Sequence, residues 1–223
     1  MEREDMRRAG ETVPPPKALK RYTTVSRLQE ILEDGKLIFS DPSYWDDEND
    51  KSILKYFQMV ANVPKLFILC FSSGHETIHF WKTYACGKKG CCINFEPEYI
   101  LGLFEEFRLR HGYVQYEEIK NLRDAGITSS NLPFFKRYPY RIEEEYRVLF
   151  ESDLAENQVH LRVDPTKCLK KVVLGPGVPD SEIAAVKKQW RKLASKDGNT
   201  PHRTTVLKSG KWFSTIRRLI DET

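Results

Sequence analysis

The stretch from Leu66 to Phe95, LFILCFSSGHETIHFWKTYACGKKGCCINF, constrains the fold more than any other part of the chain. It opens on Leu66-Phe67-Ile68-Leu69-Cys70-Phe71, an apolar run rich in strand formers and far short of the roughly 20 residues that cross a bilayer. Ser72-Ser73-Gly74 breaks the run, so the strand ends in a turn that offers hydroxyls and backbone N–H groups. Ile78, Trp81 and Tyr84–Ala85 then recur near helical spacing. Gly87 to Gly90 reads as a polar hairpin-like turn, and Cys91 to Phe95 as a second short apolar strand. Strand, polar elbow, short helix, turn and strand describe a buried sheet whose edge presents small polar groups.

The flanks extend this pattern. Residues 1–17, ending in Pro14-Pro15-Pro16, read as a flexible lead-in, and residues 18–223 as one domain with a basic helical C-terminal part. Leu19 to Thr24 suits a first strand. Ser26 and Gln29 form a capping-box pair ahead of a helix with Leu28, Ile31 and Leu32 on its apolar face and Gly35 at its end. Leu37 to Ser40 is a brief strand. Asp41 to Asp50, with four aspartates and a glutamate, lacks the glycine and terminal glutamate of a calcium loop and reads as a solvated loop. Ile53, Phe57 and Val60 mark a helix. Pro97 opens another, with Ile100, Leu103, Phe104 and Phe107 on its face and an end near Gly112.

Tyr113 to Tyr116 is a short strand, and residues 117–135 are a loop or mobile lid. Tyr146 to Phe150 is an apolar strand, and strand alternation places Glu143 and Glu145 on one face and Glu144 on the other. Gln158 to Val163 and Lys171 to Leu174 are further strands. Asp180 caps a helix with Ile183, Val186, Trp190 and Leu193 along one side. Thr204 to Leu207 is a last strand, and Phe213, Ile216, Leu219 and Ile220 belong to a final helix. Strands and helices mix without regular βαβ alternation, so the expected class is α+β.

No apolar stretch is long enough for a membrane span, and the N-terminus has no signal-type apolar segment. Five cysteines, an odd number with two adjacent, suit a reducing cytoplasm rather than a disulfide framework. His75, His79, Cys86, Cys91 and Cys92 fall close together, but Cys86-x4-Cys91 is not a zinc-knuckle spacing and Cys91-Cys92 lies in an apolar strand. Core packing is the reading preferred for them, and no metal is expected. Charge is uneven. Residues 160–223 hold 14 Lys and Arg against 6 Asp and Glu, leaving 22 against 26 for the rest. Lys187, Lys188, Arg191 and Lys192 fall along one broad helical face. They are the candidate residues for a non-enzymatic nucleic-acid-binding module, the alternative to an enzyme.

Three polar clusters stand at strand ends: Arg21-Tyr22-Thr23-Thr24, Ser72-Ser73 and Glu143-Glu144-Glu145. A cation can orient a phosphate, hydroxyls can hold a ribose or an amide, and a carboxylate can stabilise an oxocarbenium-like transition state. Brought together, they would make a nucleotide site. Left apart, they are a surface charge, a turn and a solvated strand edge.

The segments RYTT…L…IL..GKLIFSDPSYWDD, CFSS…FWKTYA…GCCINF, YVQY, K…Y..EEEYRVLF and KKVVLG run in order from Lys20 to Gly175. In that order they resemble a bacterial family catalogued as domain of unknown function 2971. The family's Asn-Asp-Pro after the first short strand is replaced here by Trp45-Asp46-Asp47. The opening RYTT–helix–glycine–strand pattern is similar, more distantly, to NAD-dependent ADP-ribosyltransferases, including those that modify DNA bases. That second resemblance implies a split, mixed β-sandwich with surrounding helices and NAD as co-substrate. It implies transfer to nucleic acid or protein, or NAD hydrolysis, within a bacterial defence or toxin system. Carried over, Arg21 or Tyr22, with Thr23, would sit on NAD. Ser72 and Ser73 would support the nicotinamide ribose, Trp81 and Tyr84 would add cofactor contacts, and Glu145 or Glu143 would be catalytic.

Overall fold

The computed structural model describes residues 14–87, 89–153, 158–197, 204–206 and 210–221, with backbone alone for 194–197, 204–206, 210–213 and 221. Most of the expected lead-in, residues 1–13, and the Phe213 side chain lie outside the described residues. In chain order the strands are β1 (Leu19–Thr23), β2 (Lys36–Ile38), β3 (Lys65–Ser72), β4 (Cys91–Phe95), β5 (Arg110–Tyr113) and β6 (Gln115–Glu117). They continue as β7 (Phe135–Arg137), β8 (Glu145–Ser152), β9 (His160–Arg162), β10 (Leu169–Leu174) and β11 (Thr204–Val206). The helices are α1 (Val25–Asp34), α2 (Glu48–Ala61), α3 (Ile78–Thr83), α4 (Pro97–Glu106), the single turn α5 (Pro165–Cys168), α6 (Asp180–Asp197) and α7 (Gly210–Asp221).

One mixed sheet organises the chain, in the order β11-β10-β4-β1-β3-β8-β5. Six of its strands, β10 to β5, form an antiparallel set, and β11 joins β10 in parallel. β3 and β8 make the longest ladder, Lys65 with Ser152 through Ser72 with Glu145. The joint between β1 and β3 is the opposite: their register holds at a single pair, Lys20 with Ser72. Four residues earlier in β3, Ile68 takes its partner from Ser40 instead, through backbone bonds of 2.9 and 2.8 Å.

Strand alternation explains why the central run is apolar throughout: both faces of β3 are covered. Phe67, Leu69 and Phe71 enter the main core, shared with Leu28 and Ile31 of α1, Ile100 and Phe104 of α4, and Val186 and Trp190 of α6. Leu66 and Ile68 turn the other way, against Leu54 and Phe57 of α2. On that same second face, Tyr22 of β1 stacks on Phe80 of α3 with ring centroids 4.8 Å apart, beside Trp81, Cys92 and Val173. Burying a Leu or Phe side chain contributes about 1.5–3 kcal/mol, so these two faces hold most of the fold's apolar stabilisation.

Several expected boundaries shift for local reasons. Thr24, not Ser26, caps α1: its hydroxyl accepts from the Arg27 N–H at 3.3 Å, while Ser26 bonds to Thr24 itself. Gly35 ends α1 as expected, in the left-handed region at φ 62°. The acidic stretch is not a solvated loop. Pro42–Tyr44 is a 3-10 turn, Asp47 caps α2, and Asp50 is buried on its first turn. The buried face of α2 is Leu54 and Phe57, and Val60 is exposed. Ile78 is 74% exposed, so α3 packs through Phe80 and Trp81 instead. α4 ends at Glu106, with Arg108 taking the left-handed turn, and Gly112 lies inside β5. The expected strand at Tyr113 to Tyr116 is split between β5 and β6, and within residues 117–135 short 3-10 turns at Ile119–Asn121 and Leu132–Phe134 precede β7. Leu219 and Ile220 of α7 are exposed.

Candidate functional site

A cavity of about 530 Å³ opens on the second face of the sheet, where β1 and β3 part. Such a volume falls within the range of about 300–1,000 Å³ that holds a small ligand or cofactor. Its β1 wall is Lys20, Arg21 and Tyr22, and its β3 wall Cys70, Phe71 and Ser72. α3 contributes His79, Phe80 and Thr83, with Tyr84 just beyond its end. The segment before α2 adds Tyr44, Trp45, Asp46 and Asp47, and the floor holds Asp50, Lys136, Glu143 and Glu145. Residues of both parities on β1 and β3 reach the cavity, which a continuous ladder between those strands would prevent. The Ser40–Ile68 pair also fixes the alternation of β3: the Cys70 N–H and C=O turn the same way as those of Ile68, toward the gap between Ser40 and β1.

All three polar clusters read from the sequence therefore meet here, each through part of its residues. Arg21 and Tyr22 line the cavity, Thr23 is buried outside its lining, and Ser72 lines it. Ser73 does not. Its N–H and its hydroxyl both donate to the Glu144 carbonyl, at 2.9 Å each, so it clamps the chain ahead of β8 instead of facing a ligand. Tyr84 is in the lining, whereas Trp81 packs behind Tyr22 with its indole N–H on Glu76 at 2.8 Å.

Glu143 and Glu145 share the cavity, but not by strand alternation. Tyr138–Glu143 is a 3-10 helix, Glu144 takes a left-handed conformation at φ 39°, and β8 begins only at Glu145. This corner turns both carboxylates inward and leaves Glu144 exposed. Far from forming a solvated edge, Glu143 and Glu145 are 4% and 6% exposed.

Their charges are met by a buried network. Arg147 is fully buried and finds an acceptor for each of its five N–H groups. Nε donates to Glu145 Oε1 at 2.6 Å, Nη1 to Asp50 Oδ1 and the Pro133 carbonyl at 2.9 Å each, and Nη2 to Asp50 Oδ2 and Glu145 Oε2. Lys136 donates to Glu143 Oε2 at 2.7 Å and lies 3.5 Å from Glu145 and 3.6 Å from Asp50. Tyr84 closes the circuit, its hydroxyl donating to Glu143 Oε1 at 2.7 Å.

The two glutamates are driven apart in acidity. Burial opposes the charge on Glu145, but Arg147 and then Lys136 overcome it and hold its pKa down at about 2. Burial raises the pKa of Glu143; Lys136 works against that rise, and the charge on Glu145 adds to it. Burial also tends to neutralise Lys136, yet the two glutamates keep it charged. Burial, followed by the charge of Glu145, pushes the Cys70 thiol well up.

Arg21 reaches the lining at the gap from the other side of β1, in register with Ile93 of the main core, and the groups that act on its charge are Cys70 and, on α1, Arg27 and Glu30. The Arg21 Nη1 is shielded from solvent and has no hydrogen-bond partner, and burial lowers the pKa of the guanidinium. A desolvated guanidinium nitrogen without an acceptor beside a cavity is a place for an anion. The lining thus includes a cation on β1 with one unpartnered nitrogen, an ionised carboxylate on β8 and aromatic side chains.

Sequence reasoning missed Asp50 and Lys136, and gave Cys70 and Arg147 no role at the site. Among the described residues no group of three or more His, Cys, Asp and Glu is arranged to hold a metal ion. Cys91 and Cys92 are buried, while Cys86, His75 and His79 are exposed. Lys187, Lys188, Arg191 and Lys192 are exposed on α6, which packs into the main core on the first face, across the sheet from the cavity. No helix among the described residues is long and apolar enough to cross a membrane. Compared with models of known protein families, with curated proteins and with solved structures, the chain matches none.

Proposed function

We propose that this protein consumes NAD, as an ADP-ribosyltransferase-like enzyme or an NAD glycohydrolase built on a split mixed sheet. The observation that carries the reading is the convergence of Arg21, Ser72 and the Glu143–Glu145 pair, from three distant parts of the chain, on one cavity. Arg21 supplies the unpaired cation for the pyrophosphate. The Cys70 peptide, facing the gap, offers an N–H and a C=O of the kind that a carboxamide pairs with, and Tyr22 and Phe80 offer ring faces to nicotinamide. Ser72 and Glu145 face the ribose. The C1′–N bond to nicotinamide breaks with its electron pair passing to the ring nitrogen. The ionised Glu145 stabilises the positive charge left on the sugar, an interaction strengthened by the dry surroundings. An acceptor on nucleic acid or protein, or water, then bonds to C1′.

The test is nicotinamide release and NAD binding by the purified full chain, with and without DNA, RNA and cell lysate. Arg21→Ala is expected to weaken NAD binding without unfolding the protein, because its Nη1 has no partner to lose. Glu145→Gln is expected to abolish release. It will also weaken the fold, since Glu145 is one of the two carboxylates on Arg147, so folding is checked beside activity. A wild-type protein that neither binds NAD nor releases nicotinamide under any of these conditions sinks the reading.

A second reading rests on a separate observation, the exposed cations of α6. It makes the protein a nucleic-acid-binding module. Because that surface and the cavity lie on opposite faces of the sheet, the two readings can be tested independently.

A further inference from the structure

We infer that His79 takes the proton from the incoming nucleophile in this cavity, an assignment that rests on the NAD reading and specifies an O–H or N–H acceptor. Departure of nicotinamide needs no proton, because the electron pair of the C1′–N bond neutralises the pyridinium nitrogen. The acceptor differs. When its lone pair forms the new bond to C1′, the electrons of its O–H or N–H bond must return to that atom and the proton must go elsewhere.

Three of the cavity's carboxylates, Glu145, Glu143 and Asp50, are committed. Both oxygens of Glu145 accept from Arg147, and a carboxylate held near 2 is a weak base. Glu143 accepts from Tyr84 on one oxygen and from Lys136 on the other. Asp50 has both oxygens on Arg147.

His79 lines the same cavity from α3 and is open to solvent. Its Nδ1 lies 3.4 Å from Thr83 Oγ1. With Nδ1–H donating to that hydroxyl, Nε2 keeps its lone pair. The ring stands edge-on to Tyr84 with 6.1 Å between centroids, and the Tyr84 hydroxyl is 2.7 Å from Glu143. One tyrosine therefore separates the imidazole from the carboxylate pair. Nε2 accepts the proton as the new bond forms, and the exposed imidazolium releases it to water. The rival bases are Asp46, exposed at the rim on the segment before α2, and Asp47, whose Oδ1 caps that helix while its Oδ2 has no hydrogen-bond partner.

The experiment compares two nucleophiles on the full chain with NAD: methanol, which must lose a proton, and azide, which carries none at neutral pH. His79→Gln is expected to lower methyl ADP-ribose formation about 100-fold, the lower end of general-base contributions, and to leave azide capture unchanged. In His79→Ala, added imidazole should restore methanol transfer. Asp46→Asn and Asp47→Asn should lower methanol transfer no more than azide capture, any loss falling on both products alike. Equal loss of both products in His79→Gln, unchanged methanol transfer, or transfer by His79→Ala that imidazole does not restore overturns the assignment, as does selective loss of methanol transfer in Asp46→Asn or Asp47→Asn. A wild-type protein that releases no nicotinamide overturns the NAD reading and this assignment with it, an outcome distinguishable from all the others.

Discussion

Replacing Asp50 by asparagine is the sharpest probe of the buried network. The side chain keeps its shape but loses its charge and exchanges one acceptor oxygen for N–H donors. Arg147, with no exposed surface, would keep Glu145 and the Pro133 carbonyl but lose one or both of its bonds to Asp50. It cannot turn to water for replacements. Removing one partner of a buried, hydrogen-bonded ion pair costs about 3–5 kcal/mol. In a chain of this size each kcal/mol moves the midpoint by about 2–4 °C, so a fall of about 10 °C is expected. Urea and thermal unfolding of wild type, Asp50→Asn, Arg147→Met and the double variant measure the single costs and the coupling. The double variant should be less damaged than the sum of its parts, by about 1–3 kcal/mol. If Asp50→Asn costs less than about 1 kcal/mol and the coupling is near zero, the guanidinium is solvated and the argument for a dry, pre-arranged Glu145 fails.

Two further outcomes follow from the charges. Glu145 has its folded pKa depressed from 4.5 to about 2, so the stability it contributes is complete above the unfolded value and is lost as pH falls toward 2. That contribution is about 3 kcal/mol; in acid titrations of unfolding free energy, wild type should show a decline between those limits that Glu145→Gln lacks, and parallel curves would refute the assignment. Reversing Lys187, Lys188, Arg191 and Lys192 to glutamate should abolish any salt-sensitive DNA or RNA binding and leave nicotinamide release untouched; retained binding, read by filter retention across a salt series, would remove α6 as the nucleic-acid surface.

What could be read in the sequence was local. The apolar run, the polar elbow, the Gly35 stop and the face of α6 each follow from neighbours a few positions apart, and each stands where periodicity placed it. The order of the three polar clusters was legible as well, because strand ends are marked by turn residues. The ion network was not. Asp50 looked solvated because it stood among other acids, and its partner Arg147 is 97 positions away. Lys136 carried no signal as a single lysine near the end of an aperiodic segment. Glu143 and Glu145 were paired for the wrong reason: alternation suggested a strand, whereas a left-handed residue at Glu144 turns both inward. Ser73 was read as a ligand contact because a hydroxyl in a turn looks available, but a carbonyl 71 residues along the chain accepts from it.

The single pair joining β1 to β3 has a mechanical consequence. It divides the large sheet into two plates, β11-β10-β4-β1 and β3-β8-β5, each internally laced by several pairs per ladder and hinged at Lys20–Ser72. Arg21 belongs to one plate and Glu145 to the other. Any molecule that touches both at once acts as a rivet across the hinge, so the free energy of occupancy doubles as resistance to prying the plates apart. Amide exchange at Lys20 and Ser72 would then register occupancy of the cavity before any chemistry takes place.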